Sequence, residues 1–359
     1  MPKTIKNVFL SKLTFEKMLS AHIRASKGKK TKKEVIIFEM ELETNLIRIM
    51  DEIKNNTYKF GEYREFVIHE PKERIIKSLP YRDRIVHQWY VEEFIKPYFM
   101  KRFINDTYAC LDNRGTHKSV ICVQNQLRNA TKLYGKNYYI LKTDIKKYFY
   151  SIDKEILLKI LSSKIKDKKL LEFSKKILDD GNEVGIPIGN YTSQFFANIY
   201  LNELDHYVKD ELKIKFYTRY MDDQIFILKT KAEAKEVLNL VSTFVSAHLN
   251  LLLNHKSRYY PNKLGVDFCG YIIYPTHILL RKRFKKKVKK SIKQWIYLKN
   301  NNIFYDKKFL LSYNSFLGHA SHSNEHGATD LRVGSTDVIN NSFVDAVASV
   351  QPRNAHYQH

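Results

Sequence analysis

The chain has few cysteines, no long apolar segment and no glycine-rich nucleotide loop. Its three cysteines are odd in number and lack metal-ligand spacing, which favours reduced thiols over a disulfide framework. No apolar run approaches the ~20 residues that span a bilayer, and charged residues interrupt the N-terminal segment, which argues against a secretory signal. Neither a phosphate-binding loop nor a dinucleotide fingerprint is present. We therefore expect a protein that acts away from membranes.

Acidic residues are also scarce relative to basic ones. Lys and Arg number 62 and Asp and Glu 38, which gives a formal charge of +24 at pH 7. This excess predicts a polyanionic partner, with an affinity that falls by about 10³–10⁵ between low and moderate salt if about 6–10 phosphates are neutralised. A basic protein without such a partner is the alternative.

The densest basic cluster lies where apolar residues recur at helical spacing, which predicts an amphipathic helix. A solvated helix face is one interpretation, and a helix that lies along a nucleic-acid backbone is the other. The candidate backbone contacts are Arg281, Lys282, Arg283, Lys286, Lys287 and Lys290.

Two adjacent carboxylates, Asp222 and Asp223, lie between segments of strand composition. Residues 216–219 and 224–228 are rich in aromatic and β-branched residues, so the acids are predicted to lie in a hairpin turn. Like charges at such a tip repel each other unless a divalent cation neutralises them, and magnesium prefers oxygen ligands. A solvated charged turn is the alternative. The other Asp-Asp pair, 179–180, is predicted to be a solvated helix terminus.

A third carboxylate follows a separate predicted strand. Residues 138–143 have buried-strand composition, and Asp144 comes directly after them. Nucleotide addition is an in-line displacement at phosphorus, in which two metal ions about 3.5–4 Å apart stabilise the attacking and leaving oxygens. Such a site needs an acid from a second strand that faces the hairpin, and Asp144 is the candidate. The alternative is that Asp144 only caps the segment that follows.

These features occur in an order that resembles the motifs of reverse transcriptases. The resemblance covers roughly residues 35–320 and rests on Arg74 with 81–87, 108–110 with 115–118, 144–149, 185–194, 220–223, 253–256 and 266–271. Most members carry Gln-Gly and Ser-Pro pairs in the second palm motif, whereas this chain has Ile188-Gly189 and Ser193-Gln194. That variant resembles the reverse transcriptases of diversity-generating retroelements.

The resemblance implies an RNA-directed DNA polymerase that copies a dedicated RNA template into cDNA, with errors chiefly opposite template adenines. It implies two Mg²⁺ ions, for which Mn²⁺ can substitute, and dNTPs with an RNA/DNA duplex as substrates. The implied partners are a structured non-coding RNA and a small basic accessory protein, in the cytoplasm of a bacterial or phage-infected cell. Two alternatives stay open: an antiphage-defence reverse transcriptase templated by a non-coding RNA, and a catalytically idle, maturase-like RNA-binding protein.

The resemblance also implies roles for individual residues. The implied metal ligands are Asp144, Ile145, Asp222 and Asp223, with Asp223 in a supporting role. The implied nucleotide-binding residues are Lys72, Arg74, Phe149, Ile188, Gly189, Gln194 and Lys256. The implied primer grip comprises Phe268, Cys269, Gly270 and Tyr271.

Several of these roles have a specific physical basis and a plain alternative. A ring at Phe149 would exclude the 2′-hydroxyl of a ribonucleotide, unless Phe149 is only a core aromatic. Gly189 would let the backbone approach the nucleotide closely. Ile188 offers no hydrogen bond where most of the family has Gln, but it could simply pack the loop. Lys72 and Arg74 could lie on a solvated strand face, and Lys256 could cover a surface.

The predicted architecture is α+β, a right-hand polymerase fold with fingers, an antiparallel palm sheet backed by helices, and a small helical thumb. The predicted segments are an N-terminal helical extension (1–60), fingers and palm (61–275), thumb (276–320) and a tail of unknown role (321–359). Hairpins around 216–228 and 264–275 are predicted to complete one palm sheet.

Four further expectations concern two helices, an apolar stripe and a possible zinc site. One helix is predicted from Asp153 to Leu178, and another begins at Thr192 or Ser193, either of which could cap it. An apolar stripe is predicted for the N-terminal helices: Phe38, Leu42, Leu46, Ile49 and Ile53. A zinc site at His319, His322 and His326 would lack cysteine partners.

Overall fold

The N-terminal region is helical, as predicted, and it precedes a small hairpin. The computed structural model describes residues 4–69, 73–301 and 307–323. The first elements are α1 (Phe15–Ser26), α2 (Lys33–Met40), α3 (Leu42–Lys54), β1 (Arg64–Ile68), β2 (Arg74–Ser78), α4 (Tyr81–Tyr90), α5 (Lys96–Phe99) and α6 (Thr116–Tyr134). The predicted apolar stripe is divided between α2 and α3, and its buried members are Leu46, Ile49 and Ile53.

The middle of the chain supplies the palm. Its elements are β3 (Tyr139–Thr143), α7 (Tyr148–Ser151), α8 (Lys154–Lys164), α9 (Lys168–Leu178), α10 (Tyr191–His206), β4 (Phe216–Tyr220), β5 (Asp223–Leu228), α11 (Lys231–Leu249) and β6 (Arg258–Pro261). The strands form one antiparallel sheet in the order β4-β5-β3-β6. The mixture of helices with antiparallel sheets confirms the α+β prediction.

The fourth palm strand is not the one that the sequence predicted. β6 pairs with the outer side of β3, with Leu141 opposite Tyr259. The hairpin around 264–275 instead belongs to a separate three-stranded sheet, β7 (Val266–Phe268), β8 (Tyr271–Ile273) and β9 (Ile278–Leu280). The prediction of a single palm sheet was wrong because β6 already occupies the edge of β3.

The predicted helix from Asp153 to Leu178 is two helices, because a second capping aspartate interrupts it. Asp153 caps α8 by accepting hydrogen bonds from Glu155 N and Ile156 N at 2.9 and 3.1 Å. Asp167 then caps α9 by accepting from Leu170 N at 3.2 Å. Its other oxygen accepts from the backbone of Val8 at 2.8 Å, which ties the N-terminal segment to this break.

Two other local predictions also fail for reasons of tertiary contact. α10 begins at Tyr191, and neither Thr192 nor Ser193 caps it; the Thr192 hydroxyl lies 2.8 Å from His87 Nδ1. Asp180 is not solvated, because its side chain is 5% exposed and accepts a hydrogen bond from Lys154 Nζ. A buried carboxylate of this kind requires a paired cation.

The chain divides into two compact units, Met1–Leu264 and Gly265–His359. In the second unit, β7–β9 are followed by α12 (Lys282–Asn300) and α13 (Lys307–Ala320). The four predicted segments are a different division, and their bounds stay a prediction. No helix among the described residues is long and apolar enough to cross a membrane.

Candidate active site

The acids Asp144 and Asp222 meet at one end of the palm sheet. Asp144 is the first residue after β3, and Asp222 lies in the two-residue turn that joins β4 to β5. β3 and β5 are antiparallel with Thr143 opposite Gln224, so the end of β3 lies beside the start of β5. The hairpin and the strand that ends in an acid are therefore both as predicted.

The electrostatics of this pair are unfavourable for two free anions. Burial is the largest cause that raises the pKa of Asp222, and together with the negative charges of Asp144 and Asp223 and a hydrogen bond with Asp144 it brings that pKa to about 7. A cation between the carboxylates would relieve both the desolvation and the repulsion.

Asp144 is held by the segment that follows α11. Asn254 Nδ2 donates to Asp144 Oδ2 at 3.1 Å, and Asn254 N donates to the Asp144 carbonyl at 2.7 Å. The Ser257 hydroxyl accepts from Asp144 N at 3.2 Å. The buried Ile145 continues this contact in a bridge with Leu253. Sequence analysis did not assign a role to Asn254 or Ser257, although Asn254 lies within the motif at 253–256 and Ser257 directly follows it.

Asp222 is held through its turn. Met221, the first turn residue, has φ 56°, a left-handed conformation that is uncommon outside glycine and asparagine. The fully buried Arg219 donates from Nη1 to the Met221 carbonyl at 3.0 Å. Arg219 is in turn paired with Asp205, through Nε at 2.7 Å and Nη2 at 2.6 Å. Sequence analysis missed both residues.

Asp223 has a different neighbour from Asp222. It is the first residue of β5, and its Oδ1 lies 3.7 Å from Lys142 Nζ on β3. Because the Lys142 ammonium group already lies beside Asp223, a supporting role fits Asp223 better than that of a main metal ligand.

The donor set fits magnesium rather than a metal held by protein alone. In the part of the chain that the structure describes, no group of three or more His, Cys, Asp or Glu side chains could hold a metal ion. Mg²⁺ is commonly bound through one or two carboxylates together with substrate phosphates, so an acid pair suffices for it. The same finding argues against zinc at His319 and His322; His319 stacks on Tyr271, with ring centroids 4.2 Å apart. His326 lies outside the described residues.

Phe149 lies near the acid pair in sequence and is half-buried. α7 starts after Lys147, whose φ of 48° turns the chain, and the Phe149 ring packs edge-on against Tyr148 with centroids 5.7 Å apart. The Phe149 carbonyl accepts from Ile186 N at 2.8 Å, which links this motif to the loop at 185–190. The ring is thus partly packed and partly accessible.

The loop that carries Ile188 and Gly189 contacts the fingers strand β2. Lys77 N donates to the Ile188 carbonyl at 2.9 Å. Gly189 has φ 127°, and a Cβ there would come within 2.6 Å of the Lys77 carbonyl oxygen. The close approach that glycine permits is therefore to β2. The prediction that it serves a nucleotide is not needed to explain this residue.

The other predicted nucleotide contacts are exposed side chains. Arg74 begins β2, Gln194 lies in the first turn of α10, and Lys256 follows Asn254, whose Oδ1 accepts from Lys256 N at 3.1 Å. Gln194 also lines a cavity of about 210 Å³ together with Arg24 and Lys29. Lys72 lies outside the described residues.

The predicted primer-grip and backbone-binding residues belong to the second compact unit. Phe268 ends β7, Cys269 and Gly270 form the turn with φ 48° and 92°, and Tyr271 begins β8. α12 is amphipathic as predicted, with Ile292 and Trp295 buried. Among the predicted backbone contacts, the exposed side chains are Lys282, Arg283, Lys286, Lys287 and Lys290. Arg281 differs, because its Nε donates to Asp267.

Comparison with known proteins finds intron-encoded relatives of this chain. A protein assigned to COX1/OXI3 intron 2 of Saccharomyces cerevisiae is 21% identical over 309 residues, which cover 64% of this chain and 34% of that protein. The group II intron-encoded protein LtrA of Lactococcus lactis is 25% identical over 186 residues, covering 48% of this chain and 30% of LtrA. The chain thus spans about a third of the length of these relatives.

Solved structures and the family profile complete the comparison. Telomerase from Candida albicans, in complex with a TWJ fragment of telomeric RNA, is similar at a TM-score of 0.45 and 12% identity, covering 64% of this chain and 46% of that chain. The family profile described as reverse transcriptase (RNA-dependent DNA polymerase) matches residues 68–273, a range that includes Asp144, Asp222 and Asp223. Because that match spans more than half of the sequence, the chain belongs to the reverse transcriptase family.

Proposed function

We propose that this protein is an RNA-directed DNA polymerase that copies an RNA template into cDNA, with Asp144 and Asp222 as ligands of two Mg²⁺ ions. The observation that carries the proposal is the contact between these two acids, in which the pKa of Asp222 rises to about 7 through burial and like charge. Repulsion between carboxylates at the end of the palm sheet favours a cation as ligand, and the net charge of +24 favours a nucleic acid. Mn²⁺ can substitute for Mg²⁺.

Individual residues are proposed to have separate roles in nucleotide addition. Bound divalent ions would stabilise the attacking and leaving oxygens of the displacement. Asn254 keeps one oxygen of Asp144 occupied at 3.1 Å, which orients the other oxygen for a ligand. Ile145, next to Asp144, is the proposed main-chain ligand, and Asp223 supports the pair from its contact with Lys142. Arg74 and Lys72 are proposed to bind the triphosphate, and Lys256 the leaving pyrophosphate.

Phe149 is proposed to select deoxynucleotides. The half-buried ring lies five positions after Asp144, and a ring at the sugar excludes the 2′-hydroxyl. Phe149→Ala should therefore accept ribonucleotides while it keeps deoxynucleotide use, because neither acid is altered. The measurement is single-nucleotide extension with dATP and ATP. Tyr150→Ala is the matched control, since Tyr150 is an adjacent aromatic that is 47% exposed. An unchanged preference in Phe149→Ala would make Phe149 a core aromatic.

Two kinds of template RNA are favoured by different observations. The second palm motif, with Ile188 and Ser193-Gln194, favours the template of a diversity-generating retroelement, and with it a small basic accessory protein. The intron-encoded relatives favour a structured intron RNA. Sequencing the RNA that copurifies with the protein separates these sources, and it also identifies a non-coding RNA of antiphage defence.

Copying errors give a residue-level test of the retroelement proposal. A Gln amide at position 188 could form a hydrogen bond worth about 0.5–1.5 kcal/mol, which corresponds to roughly two- to twelve-fold in selectivity. Ile188→Gln should therefore reduce errors opposite template adenine by about that factor, as counted by sequencing cDNA from one RNA template. Ile188→Val, which keeps an apolar side chain, should leave them unchanged. Errors that show no preference for adenine, or that Gln leaves unaltered, would argue against a retroelement role.

A further inference from the structure

We propose that Arg219 is a positioning residue for nucleotide addition: from beneath the hairpin it fixes the main chain at Met221, and this sets the place of the Asp222 carboxylate beside Asp144. The inference rests on the proposed metal site at those two acids. Arg219 itself does not touch a substrate; it acts through the turn.

The environment of Arg219 is built to hold a guanidinium in one place. The side chain is 0% exposed, and a buried charge is strongly destabilising unless it is paired and hydrogen-bonded. Asp205 accepts two parallel hydrogen bonds from it, at 2.7 and 2.6 Å. Asp205 is itself fixed by donors from Thr107 and Tyr217, both at 2.8 Å. The cation therefore cannot move without breaking several bonds of one network.

The remaining donors of Arg219 reach towards the hairpin and α10. Nη1 donates to the Met221 carbonyl at 3.0 Å and to Asn198 Oδ1 at 3.1 Å. The main chain of Arg219 is held as well, because its N donates to the Asp106 carbonyl at 2.9 Å and its carbonyl accepts from Tyr108 N at 3.0 Å. Because Arg219 is anchored in the palm core, its hydrogen bond constrains the position of the Met221 carbonyl.

The turn at Met221 and Asp222 is strained, so the hydrogen bond from Arg219 stabilises it. Two-residue hairpin loops with positive φ favour glycine or asparagine, whereas here the position with φ 56° is Met221. Asp222 follows the held carbonyl by one peptide unit, and like charge from Asp144 pushes it away. A misplacement of about 1 Å in a reacting group can cost about 10²-fold in rate. Burying the Arg219–Asp205 pair costs desolvation free energy. The position that this pair imposes on the turn at Met221 explains why the core contains it.

The experiment compares Arg219→Lys with Tyr217→Phe. Lys keeps a positive charge for Asp205 but has a single nitrogen, so it cannot also hold the Met221 carbonyl. Tyr217→Phe removes a different bond to the same carboxylate and leaves the turn anchored. Each variant is assayed for melting temperature, for kcat and KM of dNTP, and for Mn²⁺ affinity by electron paramagnetic resonance in a complex with terminated primer, RNA template and dNTP.

Arg219→Lys should lower kcat at least ten-fold and weaken Mn²⁺ binding at least ten-fold, with KM for dNTP within three-fold of the parent. Tyr217→Phe should lower the melting temperature and leave both other quantities within two-fold. Asn198→Ala, which removes the other acceptor of Nη1, should shift kcat and Mn²⁺ affinity in the same direction by a smaller factor. If Arg219→Lys does not fold, Asn198→Ala alone tests the inference.

Folded Arg219→Lys or Asn198→Ala with parental kcat and Mn²⁺ affinity would overturn the inference and leave Arg219 a purely structural residue. If the proposed function itself is wrong, the parent and Asp222→Asn should bind Mn²⁺ with equal affinity. Comparing Mn²⁺ affinity in these two proteins therefore distinguishes the two failures.

Discussion

Asp222 and His87 are two ionisable side chains that the fold removes from water without an opposite charge beside them, and their surroundings differ. The His87 side chain is 2% exposed; its Nδ1 lies 2.8 Å from the Thr192 hydroxyl, and its Nε2 has no hydrogen-bond partner among the described residues. Burial alone lowers the pKa of His87 to about 3. For Asp222, burial and two neighbouring carboxylates together raise the pKa to about 7.

The difference separates a packed residue from a ligand. The neutral imidazole of His87 is stable in its site, because burial is the cause of its lowered pKa and the neutral form avoids the cost of burying a charge. Asp222 has like charges beside it, so a proton or a cation must neutralise it. Burial therefore does not by itself mark a functional group; burial combined with like charge does.

The largest expected effect breaks the acid pair. Asp222→Ala should reduce primer extension by more than about a hundred-fold, since losing a metal ligand removes several kcal/mol of transition-state stabilisation. The variant should stay folded, because the substitution also removes repulsion from Asp144. The assay is extension on an RNA template with Mg²⁺, beside a thermal melt. Asp179→Ala, from the other Asp-Asp pair and exposed, is the control. Extension above a hundredth of the parental rate would contradict the metal assignment.

An intermediate effect tests the orientation of Asp144. Asn254→Ala removes the 3.1 Å bond to Asp144 Oδ2. A hydrogen bond to a charged group contributes about 1.5–3 kcal/mol, so kcat should fall by roughly ten-fold or more. Asn262→Ala serves as control, because Asn262 bonds the Lys136 carbonyl at the opposite end of β3. Equal kcat in the two variants would mean that Asp144 needs no such support.

The smallest effect concerns His87 and is measured as stability. The pKa of His87 is about 3 in the folded protein and about 6.5 in the unfolded chain, so the unfolded chain takes up a proton first as the pH falls. The stability that neutral His87 provides is complete above pH 6.5 and is lost between there and pH 3, at about 1.4 kcal/mol per pH unit. His87→Gln should flatten this slope in urea unfolding between pH 7.5 and 4.5. Parallel slopes in parent and His87→Gln would show that the pKa of His87 does not change on folding.

The parts of the fold that follow from short-range pattern could be predicted. The hairpin at Asp222 and the strand before Asp144 are such cases, because alternating composition and a charged tip lie within a few residues. The break between α8 and α9 was also readable, since Asp153 and Asp167 each precede a helical run, but the second cap was overlooked.

What failed depended on contacts between distant residues. The burial of Asp180 depends on Lys154, and the separate sheet at β7–β9 depends on β6 having taken the edge of β3. Arg219 left one signal in the sequence, a lone arginine within a strand of aromatic residues. An arginine in such a strand implies a buried acid elsewhere, yet nothing local identifies that acid as Asp205.

The close contact at Gly189 limits how this protein can change. Every residue with a side chain would place its Cβ 2.6 Å from the Lys77 carbonyl oxygen and 3.0 Å from Ile76 Cγ2, in a backbone conformation that only glycine adopts freely. A replacement would have to push β2 outward, and Arg74 is on that strand. Sequence change at this junction is thus confined to neighbouring residues such as Ile188, because position 189 itself accepts only glycine unless β2 moves.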